Sequence, residues 1–159
     1  MMLRDVVVDT NVMAHAQNPT EQRFPDAQRF LANLLNTTTE LCVDPGFHPD
    51  ESRNTSLIGG EYLDHLRAGS AAFEVVLRLF LSRRVKEVSR NTTPAMRRTI
   101  VRLVADPRDR TFVTVALNSS EKLFVSHDFH GGLQRKGRRV IHRQTGVKIV
   151  DAADCCARL

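Results

Sequence analysis

Tryptophan is absent from this 159-residue chain, and tyrosine occurs once beside eight phenylalanines. With so few aromatic faces, stacking is not expected to be the main source of ligand recognition. Cysteine is scarce too: Cys42, Cys155 and Cys156 are an odd count, and two of them are adjacent. No Cys/His spacing suits zinc, and a disulfide framework is excluded, so the three read as small buried hydrophobes in a reducing compartment. No apolar run approaches the roughly 20 residues that span a bilayer. The opening "MMLRDVVVD" meets a charge before any signal-peptide hydrophobic stretch. The expectation is a cytoplasmic protein with no membrane association. Phosphate-binding glycine loops, dinucleotide fingerprints, internal repeats and low-complexity segments are also missing.

What is present is a globular composition, 42% apolar and 26% charged, at a length suited to one domain spanning residues 1–159. The formal net charge is +5, which favours a polyanionic partner. The stretch from Leu133 to Lys148 carries Arg135, Lys136, Arg138, Arg139, Arg143 and Lys148 with no acid. A second basic stretch runs from Arg83 to Arg102, relieved only by Glu87. The acids lie mostly elsewhere, and that segregation suits a nuclease.

Short β-branched runs alternate with amphipathic segments. Val6 to Val8, Glu40 to Val43, Lys122 to Ser126 and Val147 to Asp151 read as strands. Helices are expected after Asn11, after Pro25, around "IGGEYLDHLRAG", over about Ala71 to Val88, after the Thr93–Pro94 start signal, from about Asp109, and at the C-terminus. Residues 46 to 56 read as a loop. The alternation argues for an α/β fold with a parallel sheet covered on both faces.

In such sheets ligands bind beyond the carboxyl ends of the strands. Asp9 follows "VVV" directly, and Asp128 lies just past "LFVS". Asp109 falls in the first turn of a helix that can reach the same rim, and Glu61 lies early in the helix after the second strand. Each alone reads as a cap, a turn residue or a solvated side chain. Together they crowd negative charge, which raises carboxyl pKa values. A hard divalent cation relieves that cost, and all-oxygen ligation points to Mg²⁺ or Mn²⁺. Such an ion activates water and stabilises charge at phosphorus without a Ser, Cys or His nucleophile.

Three motifs, "VVVDTNV", "DPRDRTFVTVAL" and "KLFVSHDFH", together resemble the PIN-domain nucleases, which include the VapC-type toxins of bacterial toxin–antitoxin pairs. The resemblance covers the two ends of the chain; residues 20 to 100 match only in helical character. It implies a three-layer α/β/α sandwich and Mg²⁺- or Mn²⁺-dependent endoribonuclease activity on RNA. It implies Asp9, Asp109 and Asp128 as acidic metal ligands, with Asn11 and Ser126 supporting them. Glu61 completes the set by this likeness, with Glu51 as the rival, and Asp106 is an outer acid. Arg135, Lys136, Arg138, Arg139 and Arg143 are candidate RNA contacts. A small antitoxin and a homodimer are the partners implied. A non-catalytic RNA- or protein-binding module and an RNA-processing nuclease without antitoxin are the alternatives. A haloacid-dehalogenase-type phosphatase is disfavoured because it needs an aspartate where Asn11 stands. His127 and His130 are read as backbone or phosphate ligands, and Asp44 as a turn residue before Pro45.

Overall fold

The computed structural model describes residues 2–159. Five strands form one parallel sheet: β1 (Asp5–Val8), β2 (Glu40–Val43), β3 (Val85–Glu87), β4 (Leu123–Val125) and β5 (Lys148–Val150), in the order β3-β2-β1-β4-β5. Val6 faces Leu41 on one side of β1, and Val8 faces Val125 on the other. The valines are fully buried because β1 is the central strand, packed on both faces and paired on both edges.

Among the described residues eight α-helices cover the sheet: α1 (Thr10–Ala16), α2 (Phe24–Asn36), α3 (Leu57–His65), α4 (Ala71–Leu81), α5 (Pro94–Leu103), α6 (Pro107–Asn118), α7 (Arg135–Thr145) and α8 (Ala152–Cys156). Helices α1, α2, α4 and α8 pack together in one layer; α5, α6 and α7 form the other. The result is a three-layer α/β/α sandwich. Helix α3 touches both α1 and α6, so it lies between the layers. One hydrophobic cluster unites the layers, with Phe30 and Leu34 of α2 on one side and Phe112 of α6 stacked 5.5 Å from Phe124 of β4 on the other. Among the described residues no helix is long and apolar enough to cross a membrane.

Three elements depart from the sequence reading: α7 is not among the expected helices, and α4 and α6 have other bounds. The helix expected to reach Val88 stops at Leu81, and the chain turns through Arg83, whose φ of 59° is left-handed, into the edge strand β3. Arg84 secures that turn by donating to the carbonyls of Leu34, Leu35 and Thr39. Helix α6 begins at Pro107, with Asp106 as its N-cap, rather than at Asp109. Proline suits the first helical position because its missing N–H would be unpaired there.

Strand order reverses between β1 and β4: β2 and β3 extend from one side of β1, β4 and β5 from the other. Chains leaving the carboxyl ends of β1 and β4 diverge to opposite layers, which opens a crevice between them.

Candidate active site

Asp9 leaves β1 at that crevice and forms the N-cap of α1. Its backbone N–H donates to Val125 O at 2.8 Å, which ties the end of β1 to β4. Ser126, fully buried after β4, donates its hydroxyl to Asp9 Oδ2 at 2.7 Å and accepts from the Asp128 N–H at 3.0 Å. One hydroxyl thus sets two acids. Asn11 Oδ1 accepts from the His127 N–H at 3.1 Å and closes the other side of the same junction.

Helix α3 brings Glu61. Its neighbour Tyr62 is buried and donates its hydroxyl to Val8 O, pinning the helix to the end of β1. Asp44, fully buried, holds the start of α3 by accepting from Ser56 Oγ and from the Leu57 and Ile58 N–H groups. The expected turn residue is thus a helix anchor. Helix α6 brings Asp109 in its first turn.

Asp9, Glu61, Asp106, Asp109 and Asp128 all line one cavity of about 250 Å³. Asn11, Thr10, His65, Arg108 and Phe112 complete most of its wall. Glu51 does not line it: it lies exposed on a short 3₁₀ turn, Glu51–Arg53. Of the two rival glutamates, then, Glu61 is the one that reaches the acids.

The electrostatics are those of crowded, desolvated anions. Burial pushes the Asp9 carboxyl up to about 6; the Ser126 hydroxyl pulls it down, and the charge of Asp128 adds to the rise. Burial, then the charges of Asp9, Asp128 and Asp106, push Asp109 up to about 7, against a small lowering from Arg108. No described donor bonds to the Asp109 carboxylate. Asp106 differs: its bonds from the Arg108 side chain and N–H hold its carboxyl below the usual range. That makes it a cap already engaged by an arginine. Thr10 Oγ1 is buried without a partner.

Among the described residues, no three His, Cys, Asp or Glu side chains are already closed around a single point as a metal site. The donors that share the cavity are nonetheless all oxygen apart from His65, a set suited to a hard cation rather than zinc.

Arg138 corrects the sequence reading. It is buried, and its guanidinium donates to Leu133 O, Ser126 O and Asp128 O at 2.7, 3.0 and 2.6 Å. Its charged end is consumed in holding the Ser126–Leu133 loop and is not free to meet RNA. Arg135, Lys136, Arg139 and Arg143 are exposed on α7, a helix that the sequence reading does not expect. His127 is buried: Nε2 accepts from the Ala152 N–H at 3.2 Å, so Nδ1 carries the proton it shares with His15 Nδ1 at 2.8 Å. It is a backbone ligand as expected. His130 is exposed.

Sequence reasoning missed Arg108, His65 and Thr10. The spacing of "DPRD" carries a signal for Arg108, because an N-cap aspartate readily accepts from the backbone N–H two residues on and so draws that residue beside it; nothing local marks His65. Neither the family models, the curated proteins nor the solved structures compared with this chain give a match.

Proposed function

We propose that the protein is a Mg²⁺- or Mn²⁺-dependent endoribonuclease, with Asp9, Glu61, Asp109 and Asp128 as the metal-holding acids. The observation that carries this reading is the convergence of those carboxylates, drawn from positions 9 to 128 of the chain, on one cavity at the topological switch of a parallel sheet. Evolution seldom retains such mutual repulsion without a cation to offset it. A bound Mg²⁺ or Mn²⁺ would supply Lewis-acid activation of water and charge neutralisation at the phosphate.

The chain's own groups do the rest. Ser126 keeps Asp9 oriented and lowers its proton affinity, so the acid is ready to ligate near neutrality. Asn11 and Ser126 fix the backbone that presents Asp128. Arg108, at the cavity wall, offers a cation to a phosphate oxygen. The carboxylates do not close on one point by themselves, since like charges oppose it; a divalent ion removes that opposition.

The reading extends to a toxin held in check by a small antitoxin that covers the acidic cavity through a basic side chain. A short reading frame beside the gene supports that extension, and a lone gene favours RNA processing without an antitoxin.

The test is incubation with total RNA in Mn²⁺ or in EDTA. Wild type is expected to cleave only with metal. Asp9→Asn and Asp109→Asn are each expected to lose about 10²-fold or more, the scale of losing a group that acts on transition-state charge. Cleavage unaffected by EDTA, or by either substitution, overturns the reading.

A further inference from the structure

The acidic cavity does not end at Glu61. Glu61, Arg108 and Phe112 also line a second cavity of about 130 Å³, completed by Leu57, Ile58 and Thr111. Leu57 and Thr111 in turn line a third, of about 170 Å³, where Arg90, Arg97 and Arg110 gather with Val101. The three form one trough. Helix α6 is its floor: Arg108, Thr111 and Thr114 follow one another at helical spacing, which spans ~9 Å from first to last at 1.5 Å per residue.

The trough has a graded chemistry. It is anionic at Asp109, apolar at the exposed Leu57, which lies over the buried Ile58 and Phe112, and cationic at the far end. Leu57 and Val101 are two of the four large hydrophobic residues exposed among those described, at 49% and 48%, and both face this trough. Of the cations, Arg110 is fixed by bonds to the carbonyls of Val104 and Ala105. Arg90 Nε lies 3.8 Å from Asp44 Oδ2, a carboxylate already accepting three other bonds. No described hydrogen bond or ion pair engages the exposed side chain of Arg97.

We propose that this trough seats the nucleotide next to the cleaved phosphodiester of a single-stranded RNA: its base lies on Leu57, and its outer phosphate meets Arg97 and Arg90. The assignment rests on the nuclease reading for the position of the scissile bond. Alternation of apolar and cationic surface at this spacing matches a nucleotide, which presents a flat face and an anion. A duplex hides its base faces and gains nothing from Leu57, so the strand is single.

The test measures binding of a short fluorescein-labelled oligouridylate to the full chain by anisotropy, in EDTA so that no metal-dependent cleavage intervenes. Arg97→Glu is expected to weaken binding about 10-fold and to lower the salt slope by about 0.7, one lost phosphate contact on a single strand. Leu57→Ser is expected to weaken single-stranded RNA and leave a duplex of equal length unchanged. Both positions are exposed, and an unaltered melting curve establishes folding for each variant. Arg29→Glu on α2, in the opposite layer, carries the same charge change and is expected to have little effect. Equal weakening by Arg29→Glu overturns the proposal, because the effect is then general electrostatics. Displacement of the RNA by a poly-glutamate peptide at comparable concentration also overturns it, in favour of an acidic protein partner. Metal-dependent cleavage with unaltered affinity in Arg97→Glu defeats the trough and leaves the nuclease reading standing. Arg97-dependent binding in a protein that cleaves no RNA supports the trough and defeats the nuclease reading.

Discussion

Two aspartates bracket the three valines of β1, and they have opposite fates. Asp5, fully buried at the amino end, meets Lys86 Nζ at 2.8 Å and accepts from the Ser120 and Glu121 N–H groups. Burial alone would raise its carboxyl, but those donors outweigh burial and hold it low. Asp9, at the carboxyl end, has burial and a neighbouring anion against the Ser126 hydroxyl and the backbone N–H groups of Asn11 and Thr10, and is pushed up to about 6. The first is a structural charge and the second a charge kept at a cost. Asp5→Asn is therefore expected to destabilise the fold by about 2–3 kcal/mol, since it leaves buried donors imperfectly paired. Asp9→Asn at pH 8 in EDTA is expected to stabilise it by about 1–3 kcal/mol, the scale of the raised pKa. Urea titrations of both variants decide this; destabilisation by Asp9→Asn contradicts the assignment. The sequence made Asp9 legible through its place at a strand end, but it offered no way to tell Asp5 from a solvated terminus, because Lys86 comes from a strand two places away.

At the scale of elements, what was hidden in the sequence is where a helix turns its charges. The basic run 135–143 reads as one kind of residue repeated, yet α7 points Arg138 inward and the others outward. Edge strand β3 was hidden for a related reason: Val85–Lys86–Glu87 is short and half polar, and only the turn at Arg83 separates it from the apolar face of α4. The end of β1 was legible because its valine run stops at a carboxylate, and that of β4 because an apolar run gives way to the polar Ser126–Asp128 turn. Arg138 joins α7 to the loop bearing Asp128, and its guanidinium also lies 4.2 Å over the Phe129 ring. Lysine cannot reproduce that fork or its stacking. Arg138→Lys is expected to lower the melting temperature and to weaken Mn²⁺ affinity about 10-fold through Asp128, whereas Arg139→Lys does neither. Calorimetric Mn²⁺ titration reads the difference, and an unchanged affinity in a folded Arg138→Lys protein removes Arg138 as the positioning residue.

At the scale of the whole molecule, two sets of buried groups pull stability in opposite directions with pH. Asp9 and Asp109 titrate near 6 and 7 in the folded chain against about 4 when unfolded. Their protonated forms favour folding, so that contribution is present at low pH and is lost as pH rises through 6 to 7. His127 is pushed down to about 4, by burial first and then by the charge of His15. Its neutral form favours folding, so that contribution is present above about 6.5 and is lost as pH falls toward 4. Between about pH 4 and 6 the folded chain holds about two protons on the acids while the unfolded chain holds about one on the histidine. Metal-free stability therefore falls gently as pH rises there. A bound divalent ion needs the acids ionised and inverts the slope. Melting curves in EDTA are expected to hold level or rise from about pH 7.5 down to 5.5, while curves in Mn²⁺ fall and the two meet near pH 5. Asp109→Asn is expected to erase most of the gap at pH 7.5 by removing one ligand and its repulsion together. Parallel curves with and without Mn²⁺ across this range would mean that the acids of the cavity and the cation do not share one site.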